Sequence, residues 1–319
     1  MKLLSKKMGE IPLSSLSIPL FEKMMVPFST RQIGAGVAGD YLFQEFPFCG
    51  GFVRLTHLLE QGENKIIIIE DKPGIIFQLG LQNSLTYKLD DIGEMLFNEW
   101  AYNFYYTLSD VKEIHFRQKN NYVVLEVQMS VDYLQNIGLP YAFVSKFLDR
   151  VQEGKSARMA RANQVANPSM MDKVRIIFDG DPAKMDDRAM DLLLLALENQ
   201  LANPVKKIGK MSPLEVEKIY AAKEFLLNNL HTKYTQEELA VEMKISVYQI
   251  KKGFQEIYGM TFIEFSHIER MNRADKFVAQ DEKKMWEIAT ILGYKSESSF
   301  LRAFKQHYGE TPSNRQRRS

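Results

Sequence analysis

The chain carries one pattern twice, as ELAVEMKISVYQIKKGFQEIYG at residues 238–259 and as EIATILGYKSESSFLRAFKQHYG at residues 287–309. From Ser246 onward the copies match at a constant shift of fifty, and the matched pairs include Ile250/Phe300, Lys252/Arg302, Phe254/Phe304, Tyr258/Tyr308, Gly259/Gly309 and Thr261/Thr311. Upstream the shift is forty-nine, as in Leu239/Ile288. Each copy predicts a short helix, a turn and a second helix that is basic and aromatic. Such a pair is typical of two helix-turn-helix units, over 235–259 and 285–309.

Apolar positions should hold each unit together, so polar positions on the other face of its second helix are candidates for contact with DNA. In the first unit these are Tyr248, Gln249, Lys251 and Lys252, and in the second they are Ser296, Glu297, Ser298, Leu301, Arg302 and Lys305. Arginine reads guanine with two hydrogen bonds, glutamine reads adenine, and an apolar side chain meets the methyl group of thymine. The alternative is a helical bundle with solvated cations, which the duplication disfavours.

A third helix is predicted between the units, over residues 262–280. At about 1.5 Å per residue it would span roughly 28 Å. One turn of DNA is about 34 Å long, so units at the two ends of this helix could enter successive faces of the major groove.

Net charge does not by itself indicate DNA binding, because the 319 residues include 41 Lys and Arg and 40 Asp and Glu. Residues 214–319 hold 17 of those cations and 15 of those acids. Contacts with DNA would therefore depend on locally placed cations and helix N-termini. A single cysteine excludes an intramolecular disulfide and a Cys-rich zinc site. We expect no signal peptide and no membrane span, and hence a cytoplasmic protein.

The first two thirds of the chain predict an α+β arrangement. Residues 41–130 contain short apolar or alternating runs separated by Asn, Gly, Pro and Asp, which favours a β-barrel or sandwich. Residues 131–202 turn helical, and NPVKKIGKMSP (203–213) predicts a linker. We therefore expect a sensor and dimerisation domain over 1–202 and an all-α DNA-binding domain over 214–319.

The stretch GYKSESSFLRAFKQHYGETPSNRQR closely resembles the C-terminal signature of AraC/XylS-type transcription regulators, and the match covers residues 219–315. The resemblance implies a DNA-binding domain with two helix-turn-helix units joined by the 262–280 helix. It also implies double-stranded DNA and RNA polymerase as partners. Three positions depart from the family pattern: Lys244 replaces a turn glycine, Gly253 lies inside the first recognition helix, and Arg315 replaces an aromatic residue.

The N-terminal part is similar to the cupin-like β-barrel arm of this family, and stretches such as IIFQLGL and NFYYTL resemble siderophore-responsive members of the pyochelin-regulator type. The resemblance implies a small-molecule effector, with a ferric siderophore as one candidate. It leaves open a regulator without such control, set by its expression level or by a protein partner. The helix predicted over 186–201 is the candidate for homodimer formation.

One aromatic cluster is a candidate effector pocket. Strand alternation would send Trp100, Tyr102, Phe104 and Tyr106 to one face and Tyr105 to the other. The alternative, which we favour, is that they belong to the barrel core.

Other motifs predict no chemistry. GAGVAG (34–39) spells a dinucleotide-binding pattern but lacks a preceding strand, so we expect a flexible loop. Cys49 is expected to be buried. No metal-ligand spacing and no catalytic constellation stand out, so we expect no metal, no cofactor and no enzymatic activity.

Overall fold

A computed structural model describes residues 1–5, 9–16, 18–36, 39–62, 65–70, 74–116, 121–178, 181–202, 213–280 and 282–316. Contacts between residues divide the chain into two compact units, an N-terminal unit (Met1–Lys207) and a C-terminal unit (Ile208–Ser319). The N-terminal unit is rich in sheet and the C-terminal unit is helical, as predicted. Residues 203–212 of the predicted linker lie outside the described residues.

Short strands build the N-terminal unit. They are β1 (Lys2–Ser5), β2 (Gly9–Ile11), β3 (Leu13–Ser14), β4 (Thr30–Gly36), β5 (Gly39–Phe48), β6 (Gly51–Glu60), β7 (Lys65–Ile69), β8 (Ile75–Gln82), β9 (Leu85–Leu89), β10 (Gly93–Phe97), β11 (Ala101–Tyr106), β12 (Val111–His115), β13 (Asn121–Met129), β14 (Ala157–Arg158) and β15 (Gln164–Val165). Strands thus begin well before residue 41, and β14 and β15 interrupt the segment that was predicted to be helical.

The described strands pair into two antiparallel sheets. One has six strands in the order β10-β9-β12-β7-β1-β2. The other has nine, in the order β14-β11-β8-β13-β6-β5-β4-β3, with β15 also paired to β11. Neither sheet closes on itself within these ranges, so a closed barrel is not confirmed. Gly34, Gly36 and Gly39 of the GAGVAG motif lie in the paired strands β4 and β5 and not in a loop, with Gly36 opposite Gly39, whereas residues 37–38 lie outside the described residues.

One apolar cluster lies between the two sheets, because strand alternation sends every second residue to the space between them. The six-stranded sheet contributes residues such as Ile68 and Tyr87, and the nine-stranded sheet contributes Phe43, Tyr105 and Val124.

A buried ion network also joins the sheets. Arg54 on β6 pairs with Glu70, which follows β7, and lies 3.3 Å from Glu126 on β13. Lys112 on β12 lies 2.7 Å from Glu70. Burial would raise the pKa of Glu70, but Lys112 and Arg54 outweigh it and lower that pKa to about 2. Glu70 is therefore ionised inside the sandwich, where its charge depends on these partners.

Helices cover the nine-stranded sheet. They are α1 (Val131–Gly138), α2 (Ala142–Gln152), α3 (Pro168–Phe178) and α4 (Met185–Ala202), with short 3-10 helices at Pro19–Met24 and Pro182–Lys184. In α4, Leu192, Leu193 and Leu197 are buried but Leu201 is 60% exposed, so the helix packs through the face that carries the first three. Cys49 is exposed, contrary to expectation.

The C-terminal unit consists of α5 (Pro213–Asn228), α6 (Gln236–Glu242), α7 (Val247–Tyr258), α8 (Phe262–Gln280), α9 (Met285–Ile291), α10 (Glu297–Tyr308) and α11 (Pro312–Gln316). The predicted connecting helix and α8 have the same bounds. Throughout the described ranges, no helix combines the length and the apolar character that crossing a membrane requires.

Candidate nucleic-acid interface

The first helix-turn-helix unit is formed by α6, a tight turn and α7. The helices α6 and α7 are in contact, and Leu239 of α6 and Ile250 and Phe254 of α7 are fully buried. The hydroxyl of Thr235 accepts a hydrogen bond from the Glu238 amide at 3.1 Å, and the Glu238 carboxylate accepts one from the Thr235 amide at 2.7 Å. This reciprocal pair starts α6 at the position that the sequence predicts.

Lys244 forms the turn of the first unit in the left-handed backbone region, with φ of +52°. Left-handed backbone costs a non-glycine residue about 1–2 kcal/mol. The departure from the family pattern therefore changes the residue but keeps the turn.

One face of α7 is exposed. Tyr248 is 70% exposed, and Lys251 and Gln255 follow at spacings of three and four residues, so the three side chains form a row along the helix. Lys252 is half-buried and lines a shallow cleft with Glu215 and Lys218 of α5.

Gln249 takes a role that the sequence did not predict. Its side-chain oxygen accepts a hydrogen bond from the Ser246 amide at 2.9 Å, while the Ser246 hydroxyl accepts one from the Gln249 amide at 3.1 Å. Gln249 therefore caps α7, and its oxygen is occupied within the protein. A glutamine that reads adenine needs both its oxygen and its nitrogen.

The second unit follows the same path. Ile288 of α9 packs with Phe300 and Phe304 of α10, and all three are fully buried. Gly293 occupies the turn with φ of +72°. The Ser296 hydroxyl accepts a hydrogen bond from the Ser299 amide at 3.2 Å and so caps α10.

An exposed row also runs along α10. It consists of Ser298, Arg302 and Lys305, spaced four and three residues apart, and Glu297 is exposed at the first turn. Leu301 is only partly exposed, because its side chain packs against the apolar core of the second unit. The structure thus places Ser298, Arg302 and Lys305 together on one surface and turns Leu301 toward the interior.

Sequence reasoning missed Gln255. The shift of fifty pairs it with Lys305, and both side chains are exposed at the same helical position. The signal was present in the repeat, because Lys305 is a candidate contact in the second unit.

The other two departures from the family pattern have structural reasons. A Cβ atom at Gly253 would overlap the side chain of Ile219, so the glycine allows α5 to lie directly against α7. Arg315 pairs with Asp275 of α8, with an Nη2–Oδ2 distance of 3.1 Å, and its guanidinium lies 4.2 Å from the ring centre of Tyr308. The arginine thereby fixes α11 by charge and stacking.

The aromatic cluster of the N-terminal unit is mostly interior. Tyr102 and Phe104 are fully buried and pack on Phe77, and the Tyr102 hydroxyl donates a hydrogen bond to the Ala196 carbonyl of α4 at 2.8 Å. Tyr106 is half-buried. Trp100 precedes the strand in the left-handed region, with φ of +61°, so alternation does not set its direction.

Among the side chains that the structure describes, no group of three or more His, Cys, Asp or Glu is arranged to hold a metal ion.

Residues 239–318 match a protein-family model described as a helix-turn-helix domain. Over 87 residues the chain is 33% identical to the HTH-type transcriptional activator FapR of Escherichia coli, which covers 27% of this chain and 33% of that protein. Over 89 residues it is 32% identical to the bifunctional transcriptional activator/DNA repair enzyme AdaA of Bacillus subtilis, covering 28% of this chain and 42% of that protein. The chain thus spans a third to two fifths of these relatives.

Among solved structures, the C-terminal domain of AraT, a response regulator from Geobacillus stearothermophilus, is 26% identical with a TM-score of 0.31. The similarity covers 35% of this chain and 89% of that one. The family match places a helix-turn-helix domain in the C-terminal unit. This domain exposes two rows of side chains, one on α7 and one on α10, and the opposite face of each helix is buried.

Proposed function

We propose that the chain is a sequence-specific transcription regulator of the AraC/XylS type that binds double-stranded DNA through both helix-turn-helix units. The observation that supports this most strongly is the pair of exposed rows on α7 and α10. Both rows lie at helical spacing opposite a buried aromatic core, which is the arrangement a helix needs to enter the major groove.

The two rows offer different contacts. Arg302 can donate two hydrogen bonds to the O6 and N7 atoms of guanine, and Lys305 can contact a phosphate. Lys251 carries the charge of the first row, and the exposed ring of Tyr248 suits the methyl group of thymine. Because residues 214–319 are nearly neutral as a whole, recognition of DNA in this proposal depends on these local contacts.

Selection of binding duplexes from a random pool, followed by affinity measurement with the full chain at fixed salt, tests the proposal. Arg302→Ala should cost about 1–3 kcal/mol, concentrated at one base pair. Lys252→Ala should weaken binding less, because Lys252 is half-buried. Lys276→Ala removes an exposed cation of α8 and is the control for the loss of one charge. Failure to select any duplex would overturn the function, and unchanged binding by both Arg302→Ala and Lys252→Ala would overturn the assignment of the contacts.

We propose further that the N-terminal unit is a cupin-like sensor that responds to a small molecule, with a ferric siderophore as the first candidate. We also propose that α4 contributes to a homodimer and that RNA polymerase is a partner on the promoter. Support for the sensor comes from the separate compact N-terminal unit and from the sequence resemblance. Thermal-shift measurements of the full chain with ferric siderophores and sugars test it. Silence across both classes would favour control by expression level or by a protein partner.

A further inference from the structure

The loop between α5 and α6 links the two helix-turn-helix units at a second place besides α8. This α5–α6 loop comprises residues 229–234, and it precedes the first unit in sequence. In space it contacts α8 on one side and the turn of the second unit on the other. The two units are therefore joined at two places, through α8 and through this loop.

Arg270 of α8 clamps this loop. Its side chain is 6% exposed, and it donates hydrogen bonds to the carbonyl oxygens of Leu230 at 3.0 Å and Thr232 at 2.8 Å. A third, to the carbonyl of Ser266 at 3.3 Å, lies within α8. Because Leu230 and Thr232 follow the C-terminus of α5, the guanidinium also lies where a helix favours positive charge. A buried charge that uses its donors on backbone carbonyls fixes the path of the loop.

The other side of the loop rests on the second unit. The carbonyl of His231 lies so close to Gly293 that a Cβ atom at position 293 would overlap it. The Lys233 ammonium lies 3.9 Å from the ring centre of Tyr294. Tyr294 in turn packs on Phe300 of α10, with ring centres 5.7 Å apart. The loop is thus in contact with the residues that hold the second recognition helix.

At the other end of this path, α5 contacts α7, the recognition helix of the first unit. Gly253 of α7 allows Ile219 of α5 to pack directly on the helix backbone. A continuous path therefore runs from α7 through α5 and the α5–α6 loop to Tyr294 and α10.

We propose that α5 together with the α5–α6 loop is a brace that sets the orientation of α7 relative to α10, and hence the spacing of the two sites that the protein reads on DNA. Arg270 and Lys233 are its positioning residues. The proposal rests on the proposed DNA-binding function and adds to it a determinant of operator spacing. The helix α8 itself packs into both units, with Phe265 on Phe254 of the first and Met271 in the core of the second, and the brace is a second connection between them.

Spacing is a sharp test because inserting one base pair rotates one DNA site by about 35° and moves it about 3.4 Å relative to the other. A braced protein cannot follow this change without losing contacts at one site. A protein with a loosened brace can follow part of it. The ratio of affinities for the native and the inserted spacing therefore reports on the brace, whereas general loss of folded protein lowers both affinities equally.

The experiment uses the full chain and a duplex selected with the wild type, in which footprinting locates the two contacted segments. Affinities are measured on this duplex and on versions with one base pair inserted or deleted between the segments. For the wild type we expect a roughly tenfold loss on insertion, the size of losing the contacts of one base pair. Lys233→Ala and Arg270→Lys should reduce that loss to roughly threefold or less. Lys276→Ala should keep the wild-type ratio.

The two proposals fail differently. If the wild type selects no duplex, the DNA-binding function is wrong. If the wild type shows sharp dependence on spacing and both Lys233→Ala and Arg270→Lys retain it, then the brace is wrong and α8 alone sets the spacing. Because Arg270→Lys could unfold the domain, Lys233→Ala, which changes only an exposed side chain, decides that case.

Discussion

The two helix-turn-helix units share one backbone path but differ in the residue that makes the turn. Lys244 and Gly293 both adopt left-handed backbone, with φ of +52° and +72°. The Lys244 side chain is exposed, whereas the carbonyl of His231 lies directly against Gly293. A lysine can therefore make this turn, and what demands glycine in the second unit is the neighbouring loop. The comparison shows that the glycine at this turn is required by a contact with a neighbouring loop and not by the turn itself.

The recognition helices differ for a related reason. Position 253 of α7 is glycine because α5 lies against it, while its counterpart in α10, Ala303, is half-buried and carries a Cβ atom. The first unit is thus held from α5 at its recognition helix, and the second from the α5–α6 loop at its turn. In each unit, the glycine lies where α5 or the α5–α6 loop contacts the backbone.

Gly293→Ala should give the largest effect. The left-handed backbone and the overlap with the His231 carbonyl together predict a loss of roughly 3 kcal/mol in unfolding free energy. Urea unfolding of the full chain, followed by Trp286 fluorescence in a Trp100→Phe background, measures it in the C-terminal unit. Lys244→Ala is the matched control, since it exchanges one left-handed side chain for another and should change stability little. Equal losses in the two variants would show that the turn, and not the loop, demands glycine.

Gly253→Ala should destabilise the domain even though alanine favours helix. Overlap with Ile219 costs about 1–3 kcal/mol, and the gain in helix propensity offsets about 1 kcal/mol of it. Ala303→Gly, the reverse change at the matched position, should also destabilise the domain, by about 1 kcal/mol, because glycine has a lower helix propensity than alanine. The two losses have different origins, and a double variant tests the overlap with Ile219.

That double variant is Gly253→Ala with Ile219→Ala. Removing the Ile219 side chain makes room for the new Cβ atom, so the combined loss in unfolding free energy should be smaller than the sum of the two single losses. Strict additivity would mean that the two residues are not in contact.

Much of the C-terminal unit could be predicted from the sequence because its information is local. Capping residues and helical periodicity depend on neighbours within a few positions, so the bounds of α8 were predicted correctly. Contacts of individual side chains are less predictable. Contact with DNA stays a prediction for Gln249 and Leu301, but the sequence did not indicate that Gln249 caps its own helix or that Leu301 packs on the core of the second unit. Both outcomes depend on side-chain contacts that periodicity does not fix.

The N-terminal unit was predicted only in outline because its contacts are distant in sequence. Pairing of β1 with β7 joins residues more than sixty positions apart. The buried ion network likewise joins Arg54, Lys112 and Glu126 from three strands, and nothing in any one strand indicates that a charged residue faces the interior. The reason that Gly253 and Gly293 are glycines is also tertiary.

Lys244→Gly places in the first unit the residue that makes the turn of the second. Glycine removes the cost of left-handed backbone, about 1–2 kcal/mol, but loses about 0.4–1 kcal/mol through the greater freedom of the unfolded chain. We expect a net stabilisation of about 0.5–1 kcal/mol in the same fluorescence measurement. Lys244→Asn, which tolerates this backbone, should fall between lysine and glycine. A loss of stability on Lys244→Gly would show that the lysine side chain contributes a contact that offsets its backbone strain.

The smallest effect that we expect is a loss of stability in acid that differs between the two helix-turn-helix units. His307 of α10 replaces Ile257 of α7 in the repeat, and its ring lies 5.6 Å from that of His267 on α8. Burial, and then the charges of His307, Arg270 and Lys233, lower the pKa of His267.

Because the folded state therefore binds this proton less readily than the unfolded state, the stability that neutral His267 contributes is complete above about pH 6.5 and is lost as the pH falls below that value. The ring is partly exposed, so solvent screens the effect. Hydrogen exchange of the full chain between pH 7.5 and 5.5, corrected for the intrinsic rate, should show protection falling more in α10 than in α7. His267→Gln should abolish that difference, and its persistence in the variant would mean that other groups cause it.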